Sequence, residues 1–400
     1  MIVVDLILVA AAALLLVPAL VYFIECMVAV FRGLPPEMSP NDDRPLTAVV
    51  VPAHNEEGVV GATVRHIRKQ LADGEQLIVI ADNCCDRTAD EASEAGADVW
   101  VRDDPEHVGK GYAISYAVNR LAASAPEVVV FIDADCRITN GTIDTLSRVA
   151  MAKQRPIQSQ YLFVSPPDGG HMSSVSALAC LVRNLVRPLG LHHLGFPCHL
   201  TGSGMAFPWT QIRLAPAQHG SIVEDLTLGL DMAIAGNEPM LCSAAGVASD
   251  LPSTPRAAKV QRRRWEHGQI ATFMAYAPRL VSLGLRSKRP ALIALAADLS
   301  VPPLALLVLL IGLVVLLSAI TFLVGGNGVA LTIAALALVL VGVATMSAWA
   351  SFGRQTISIV KLLLVPFYVL WKLPLYLALL FQNPQREWVR TARSSAKSEL

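Results

Sequence analysis

Carboxylates in this chain follow apolar runs at places where strand ends would hold them. Asp82 follows residues 76–81, and Asp133-Ala134-Asp135 follows residues 128–132. Two acids one residue apart offer hard oxygen ligands for Mg2+ or Mn2+ and leave coordination places for a diphosphate. The ion would neutralise charge on a departing group, a Lewis-acid role. Further on stand Glu224-Asp225 and Gln261-Arg262-Arg263-Arg264-Trp265. An arginine fork suits phosphate, and an indole face suits a sugar ring. Adjacent acids in a helix or turn project differently, so only one of Glu224 and Asp225 is expected to be a base. Plain alternatives stand beside each feature: a solvated turn for the D-x-D pair, core packing or interfacial anchoring for Trp265, and membrane-flanking charge for Arg262 and Arg263.

Positioning such groups requires a scaffold. Residues 47–51, 76–81 and 128–132 are rich in Val and Ile and predict buried parallel strands, with helices over 57–72 and 110–123. This alternation predicts a doubly wound α/β domain whose ligands gather at the carboxyl ends of the strands. Pro52-Ala53-His54-Asn55-Glu56, Asp82-Asn83 and Asp133-Ala134-Asp135 all fall there.

Composition narrows the class. The 400 residues are 54% apolar, with a mean hydropathy of +0.50. That is too oily for an ordinary soluble enzyme, and the excess sits at the two ends. The 32 basic and 32 acidic side chains cancel, which gives nucleic-acid binding no electrostatic support. Seven cysteines without C-x-x-C spacing argue against a disulfide framework and fit a reduced, cytosolic setting. His192, His193, Cys198 and His199 match no closed zinc-site spacing. Cys84-Cys85 are expected to pack as small apolar residues.

Residues 1–32 predict a retained transmembrane helix, because a basic start and a small-residue cleavage site are missing. Arg32 at its end places the following domain in the cytosol by the positive-inside rule. A proline-rich linker is expected over 33–45, and a catalytic domain over 46–285. Residues 286–350 combine a basic segment (Arg286, Lys288, Arg289) with a spanning hairpin, 301–324 and 329–350, joined by Gly325-Gly326-Asn327-Gly328. Residues 351–383 predict an interfacial or third C-terminal membrane helix, interrupted by Lys361, Pro366, Lys372 and Pro374. A basic cytosolic tail follows over 384–400.

The order of the signatures adds a resemblance. V-P-A-H-N-E at 51–56, A-D-N-C-C-D-R-T at 81–88, G-K-G at 109–111, D-A-D at 133–135, T-G-S-G-M at 201–205, E-D at 224–225 and Q-R-R-R-W at 261–265 occur in series. Residues 46–277 thereby resemble the membrane-bound family 2 glycosyltransferases with Q-x-x-R-W, a branch that includes cellulose, hyaluronan and chitin-oligosaccharide synthases. The resemblance implies a GT-A (Rossmann-like) α/β catalytic domain with N-terminal and C-terminal transmembrane helices. It also implies inverting, Mg2+- or Mn2+-dependent transfer from a nucleotide-sugar donor, UDP-linked, to a lipid-linked or saccharide acceptor in exopolysaccharide or glycolipid synthesis. The expected place is the cytosolic face of the inner or plasma membrane, with an oligomer or polysaccharide-assembly proteins as further partners.

Residue by residue, the resemblance implies that Pro52, Ala53, Asn55, Glu56 and Asp82 meet the base and ribose. Lys110 and Asp133 would meet the nucleotide, and Asp135, with Asp133, the metal. Asp225 would be the base. Gly202, Ser203 and Glu224 would lie on the acceptor side. Gln261, Arg264 and Trp265 would close the site, Arg264 towards the diphosphate and Trp265 against the acceptor sugar. Ala81-Asp82 stands where many relatives carry two acids, and Val223 where processive synthases often carry Thr. Two alternatives stay open: a processive polysaccharide synthase, which the short membrane portion argues against, and a non-catalytic sugar-nucleotide-binding receptor, which the presence of Asp135 and Asp225 argues against.

Overall fold

Val- and Ile-rich segments tolerate burial on both faces, and three of them, with a more exposed edge strand, form the parallel half of the sheet. A computed structural model of the chain describes residues 1–36, 43–166, 170–215, 223–252 and 254–362, with Val365, Val369 and Tyr376. Strands β1 (Thr47–Ala53), β2 (Gln76–Asp82), β3 (Asp98–Arg102) and β4 (Val128–Phe131) lie in the order β3-β2-β1-β4, all parallel. Ala48 to Val51 and Val128 to Phe131 are wholly buried. Helices Val60–Arg68, Thr88–Glu94 and Lys110–Leu121 make the three crossovers, so the four strands end on one edge.

The parallel strands expected over 47–51, 76–81 and 128–132 are β1, β2 and β4, and beyond β4 the sheet becomes mixed. After β5 (Cys136–Ile138) and β6 (Ile157–Val164), strand β7 (Met205–Pro208) inserts antiparallel between β4 and β6. Strand β8 (Met240–Asp250) pairs parallel with β6 and antiparallel with β5. The eight strands run β3-β2-β1-β4-β7-β6-β8-β5. β7 has four residues and ends in proline, too short a run for periodicity to reveal. Its Phe207 packs edge-on against Phe131 with ring centroids 5.8 Å apart, which centres the core on the β4–β7 pair.

The chain divides into two compact units. The sheet belongs to the unit built from Leu34–Gly169 and Phe196–Trp265. The other, built from Met1–Gly33, Gly170–Gly195 and Glu266–Pro384, is helical in its described residues. Here helix Ile2–Arg32 buries Ala12, Ala19 and Cys26, spaced by seven, at 0% exposure. Small side chains let helices approach closely where lipid supplies no hydrophobic drive between them. Tyr22 and Thr345 share a 2.9 Å hydroxyl–hydroxyl bond. Among the described residues, four helices are long and apolar enough to cross a membrane: Ile2–Arg32, Met172–His193, Leu304–Leu323 and Val329–Gly353. The second was not singled out in the sequence, because Arg183, Asn184 and Arg187 break its apolar run. Residues 37–42 of the expected linker, most of 363–383 and all of 384–400 lie outside the described residues.

Candidate active site

Two tight turns at the ends of β1 and β2 build the first wall. Asn55 (φ 55°) and Asn83 (φ 49°) take the left-handed conformation that asparagine tolerates best among non-glycine residues. The turns are laced together: the Cys85 N–H donates to Asn55 Oδ1 at 2.8 Å and the Glu56 N–H to Thr88 Oγ1 at 2.7 Å. His54 Nδ1 lies 2.7 Å from the Asp82 carbonyl. Pro52 and Ala53 are the last two residues of β1. Cys84 is half-buried under the turn, its thiol 3.5 Å from the Ala53 carbonyl, and Cys85 is exposed.

Asp82 closes β2 at 4% exposure and accepts from Arg102 Nη1 at 2.6 Å and from the Gly109 backbone. Burial raises its carboxyl above the usual range, and the Arg102 guanidinium pulls against that. Arg102 also donates to the His107 carbonyl and to Asp104, both at 2.9 Å, so it ties Asp82 to the loop entering helix Lys110–Leu121. Sequence reasoning missed Arg102. Its signal is the register, since Asp82 and Arg102 face each other across the β2–β3 ladder.

Lys110 stands at the head of its helix and joins the walls. Its ammonium pairs with Asp133 and donates to the Gly202 carbonyl at 2.5 Å. Burial alone would lower its pKa, but Asp133, Glu224 and Asp225 together raise it. The Asp133 N–H donates to Ser203 Oγ at 3.0 Å, and Ser249 Oγ donates to Asp135 Oδ2 at 2.5 Å. Gln158, buried at 1% exposure, donates to the Ser203 carbonyl at 2.8 Å and accepts the Thr201 N–H at 2.8 Å. Gln158 and Ser249 belong to β6 and β8, which the sequence analysis did not reach.

Glu224 and Asp225 open helix Glu224–Ile234. A Cβ placed on Gly202 (φ 104°) would lie 3.1 Å from Asp225 Oδ2 and 3.7 Å from Lys110 Nζ, which sets the glycine loop directly against both charges. Both acids act electrostatically on Lys110. Glu224 is pushed up to about 7, first by burial and then by Asp225, against the pull of Lys110 and Arg264. Arg264 Nε is buried without a hydrogen-bond partner among the described residues, which leaves a donor for a ligand to meet. Gln261 is buried at 2% exposure, and Trp265 packs on Phe163 with ring centroids 5.1 Å apart.

Among the described residues, Asp133, Asp135 and Cys136 are the group whose ligand atoms could share a metal ion, all within 4.8 Å of one another. The two carboxylates fit a hard divalent cation. Cys136 does not extend that set, because burial pushes its thiol up to about 12 and it stays neutral. His193 is occupied otherwise, its Nε2 lying 2.8 Å from the Gly33 carbonyl.

Comparison with known proteins bears on this constellation. The family model described as "Glycosyltransferase like family 2" matches residues 44–268, more than half of the chain. A low-salt glycan biosynthesis hexosyltransferase of Haloferax volcanii is 36% identical over 100 residues, 24% of this chain. The chain spans only 22% of that curated relative's length. Among solved structures, the mannosyltransferase of Pyrobaculum calidifontis in complex with GDP-Man and Mn2+ is similar at a TM-score of 0.54 and 17% identity. That likeness covers 87% of this chain and 98% of the other, and it is a likeness of fold, the GT-A α/β sheet. The family match includes the D-A-D, E-D and Q-R-R-R-W signatures in their expected order, and the chain belongs to glycosyltransferase-like family 2.

Proposed function

We propose that the chain transfers a sugar from a nucleoside-diphosphate donor to an acceptor hydroxyl, with a divalent cation held by Asp133 and Asp135. The observation that carries this reading is the meeting of Lys110 with Asp133, the Gly202 carbonyl and the acids at residues 224–225. Such a network keeps a cation and two carboxylate sites ready for a charged ligand. When bound, the metal would neutralise charge on the departing diphosphate. Lys110 and Arg264, whose Nε has no partner among the described residues, would hold the same phosphates through the protein's own charge.

Asp82, held by Arg102, would accept an N–H from the base. An ionised carboxylate accepts only, which suits the imide edge of uracil and the N1 edge of guanine. A UDP-linked sugar is the first donor of choice and a GDP-linked one the second. Pro52, Ala53, Asn55 and Glu56 would line the base and ribose.

Of the two adjacent acids, Asp225 is the one whose carboxylate lies against the Gly202 loop, and it would take the acceptor's proton. The acceptor oxygen then forms its bond to the anomeric carbon as the bond to diphosphate breaks on the opposite face, which inverts the configuration. Gly202 and Ser203 would shape the acceptor side, and Gln261 and Trp265 would close it, the indole lying on the acceptor sugar. Helices able to span a membrane in the same chain favour a lipid-linked acceptor at the cytosolic face.

A donor screen tests this reading. Purified full-length protein with Mn2+ or Mg2+, UDP- and GDP-sugars and a lipid-linked acceptor is expected to release nucleoside diphosphate with one donor well above the rest. Release with none of the donors would overturn it.

A further inference from the structure

The helix Met172–His193 presents a problem of direction and one of charge. By length and composition it could cross a membrane. Yet the strands on either side of it pair with each other: Ile157 with Ala206 and Gln158 with Met205 join β6 to β7. One crossing between them would leave two paired strands on opposite sides of a bilayer, so the helix must enter and leave on one side. Its surroundings agree. Protein buries 83% of its most apolar stretch, against 22–28% for the other three long apolar helices.

The charge is Arg187, 6% exposed within this apolar helix. Its Nε donates to Glu25 Oε2 at 2.7 Å, and its Nη2 donates to the Asp298 carbonyl at 2.8 Å and to the Asp298 carboxylate. Glu25 and Asp298 are themselves 3% and 8% exposed. The three residues come from Ile2–Arg32, Arg187–His193 and Pro290–Ser300, which are remote in sequence. A π-helical turn, Val182–Val186, leads directly into Arg187, and such turns re-aim the residues that follow. A Cβ on Gly190 would run into the Glu25 backbone, so these two helices touch main chain to main chain.

Depth is consistent as well. Glu25 lies seven residues before Arg32, about 10 Å along a helix. Asp298 follows Arg286, Lys288 and Arg289 within a short helix. Both carboxylates therefore sit about two to three helical turns from a positively charged residue, Glu25 near the end of a long apolar helix and Asp298 in a helix too short to span.

We infer that Glu25, Arg187 and Asp298 form an ionic lock that seats the Met172–His193 helix among the membrane helices as an element that does not cross. Guanidinium suits the task, because its planar fork serves two acids at once. An ionisable group in an apolar bundle is otherwise strongly unfavourable. The lock also makes the N-terminal helix a working part of the bundle. The inference does not depend on which sugar the enzyme transfers.

The test uses the full chain in lipid nanodiscs and sealed vesicles. Arg187→Met leaves two buried acids without their cation and is expected to lower the melting midpoint by about 10 °C. The triple variant Glu25→Met, Arg187→Met, Asp298→Leu removes the charges together and is expected to return to within about 3 °C of the native protein. Should Arg187→Met fail to accumulate, Glu25→Gln and Asp298→Asn carry the single-loss measurement, each with an expected loss of roughly 5 °C. Cysteines introduced at Met172 and Leu194, with native cysteines replaced, are expected to react with an impermeant maleimide from the same side. Single variants as stable as the native protein, a triple no better than Arg187→Met, or labelling from opposite sides would overturn the lock.

Discussion

Lys110 in the sheet unit and Arg187 in the helical unit each stand between carboxylates, and they do opposite things with that arrangement. Lys110 and Asp133 keep 16% and 25% of their side chains exposed. Arg187, Glu25 and Asp298 keep 8%, 3% and 10%. In the first cluster water and ligand can reach the charges, and a compact ammonium on a flexible stem can change partners. In the second a rigid fork has both partners fixed and nothing left to offer. The same residue classes thus give an adaptable site where the side chains keep some exposure and a lock where they keep almost none.

Several substitutions would break or sharpen this contrast. Asp225→Asn should reduce nucleotide release by about 10^3-fold while donor binding, followed by calorimetry, stays within about threefold. Equal loss of binding and turnover would move Asp225 from the acceptor side to the donor side. Asp135→Asn should weaken Mn2+-dependent nucleotide binding by roughly 10^2-fold and leave the melting midpoint nearly unchanged. Lys110→Arg should cost about tenfold in turnover, because a planar fork cannot replace the ammonium between Asp133 and the Gly202 carbonyl. Gly202→Ala, strained at φ 104° and crowding Asp225, should lower turnover severalfold and stability by about 1 kcal/mol.

A further effect is one of pH. Glu224 has a folded-state pKa raised from 4.5 to about 7, so its contribution to stability is fully present below 4.5 and is lost as pH rises through about 7. Melting curves of Glu224→Gln beside the native protein should show the native protein losing ground over that window. A constant difference from pH 4 to 8 would show that Glu224 does not titrate there.

Much of the site could be read from the residues, and the reasons are local. Val- and Ile-rich runs ending in Asp82 and Asp133 announce buried strands with polar ends, and the structure brings Lys110, Asp133, Gly202 and Asp225 to one place. Arg102, Gln158 and Ser249 stayed hidden, because their roles follow from strand register and from an antiparallel β7 that leaves no periodic signal in four residues. The lock was hidden for another reason. Glu25 lies in an otherwise apolar run, and only tertiary packing across 162 residues of chain shows its partner.

The most direct test of the proposed chemistry is the anomeric configuration of the first product, read from its H1 coupling by NMR. A base at Asp225 on the face opposite the leaving diphosphate predicts a single displacement and a product inverted relative to the donor sugar. A product that retains the donor's configuration would contradict it.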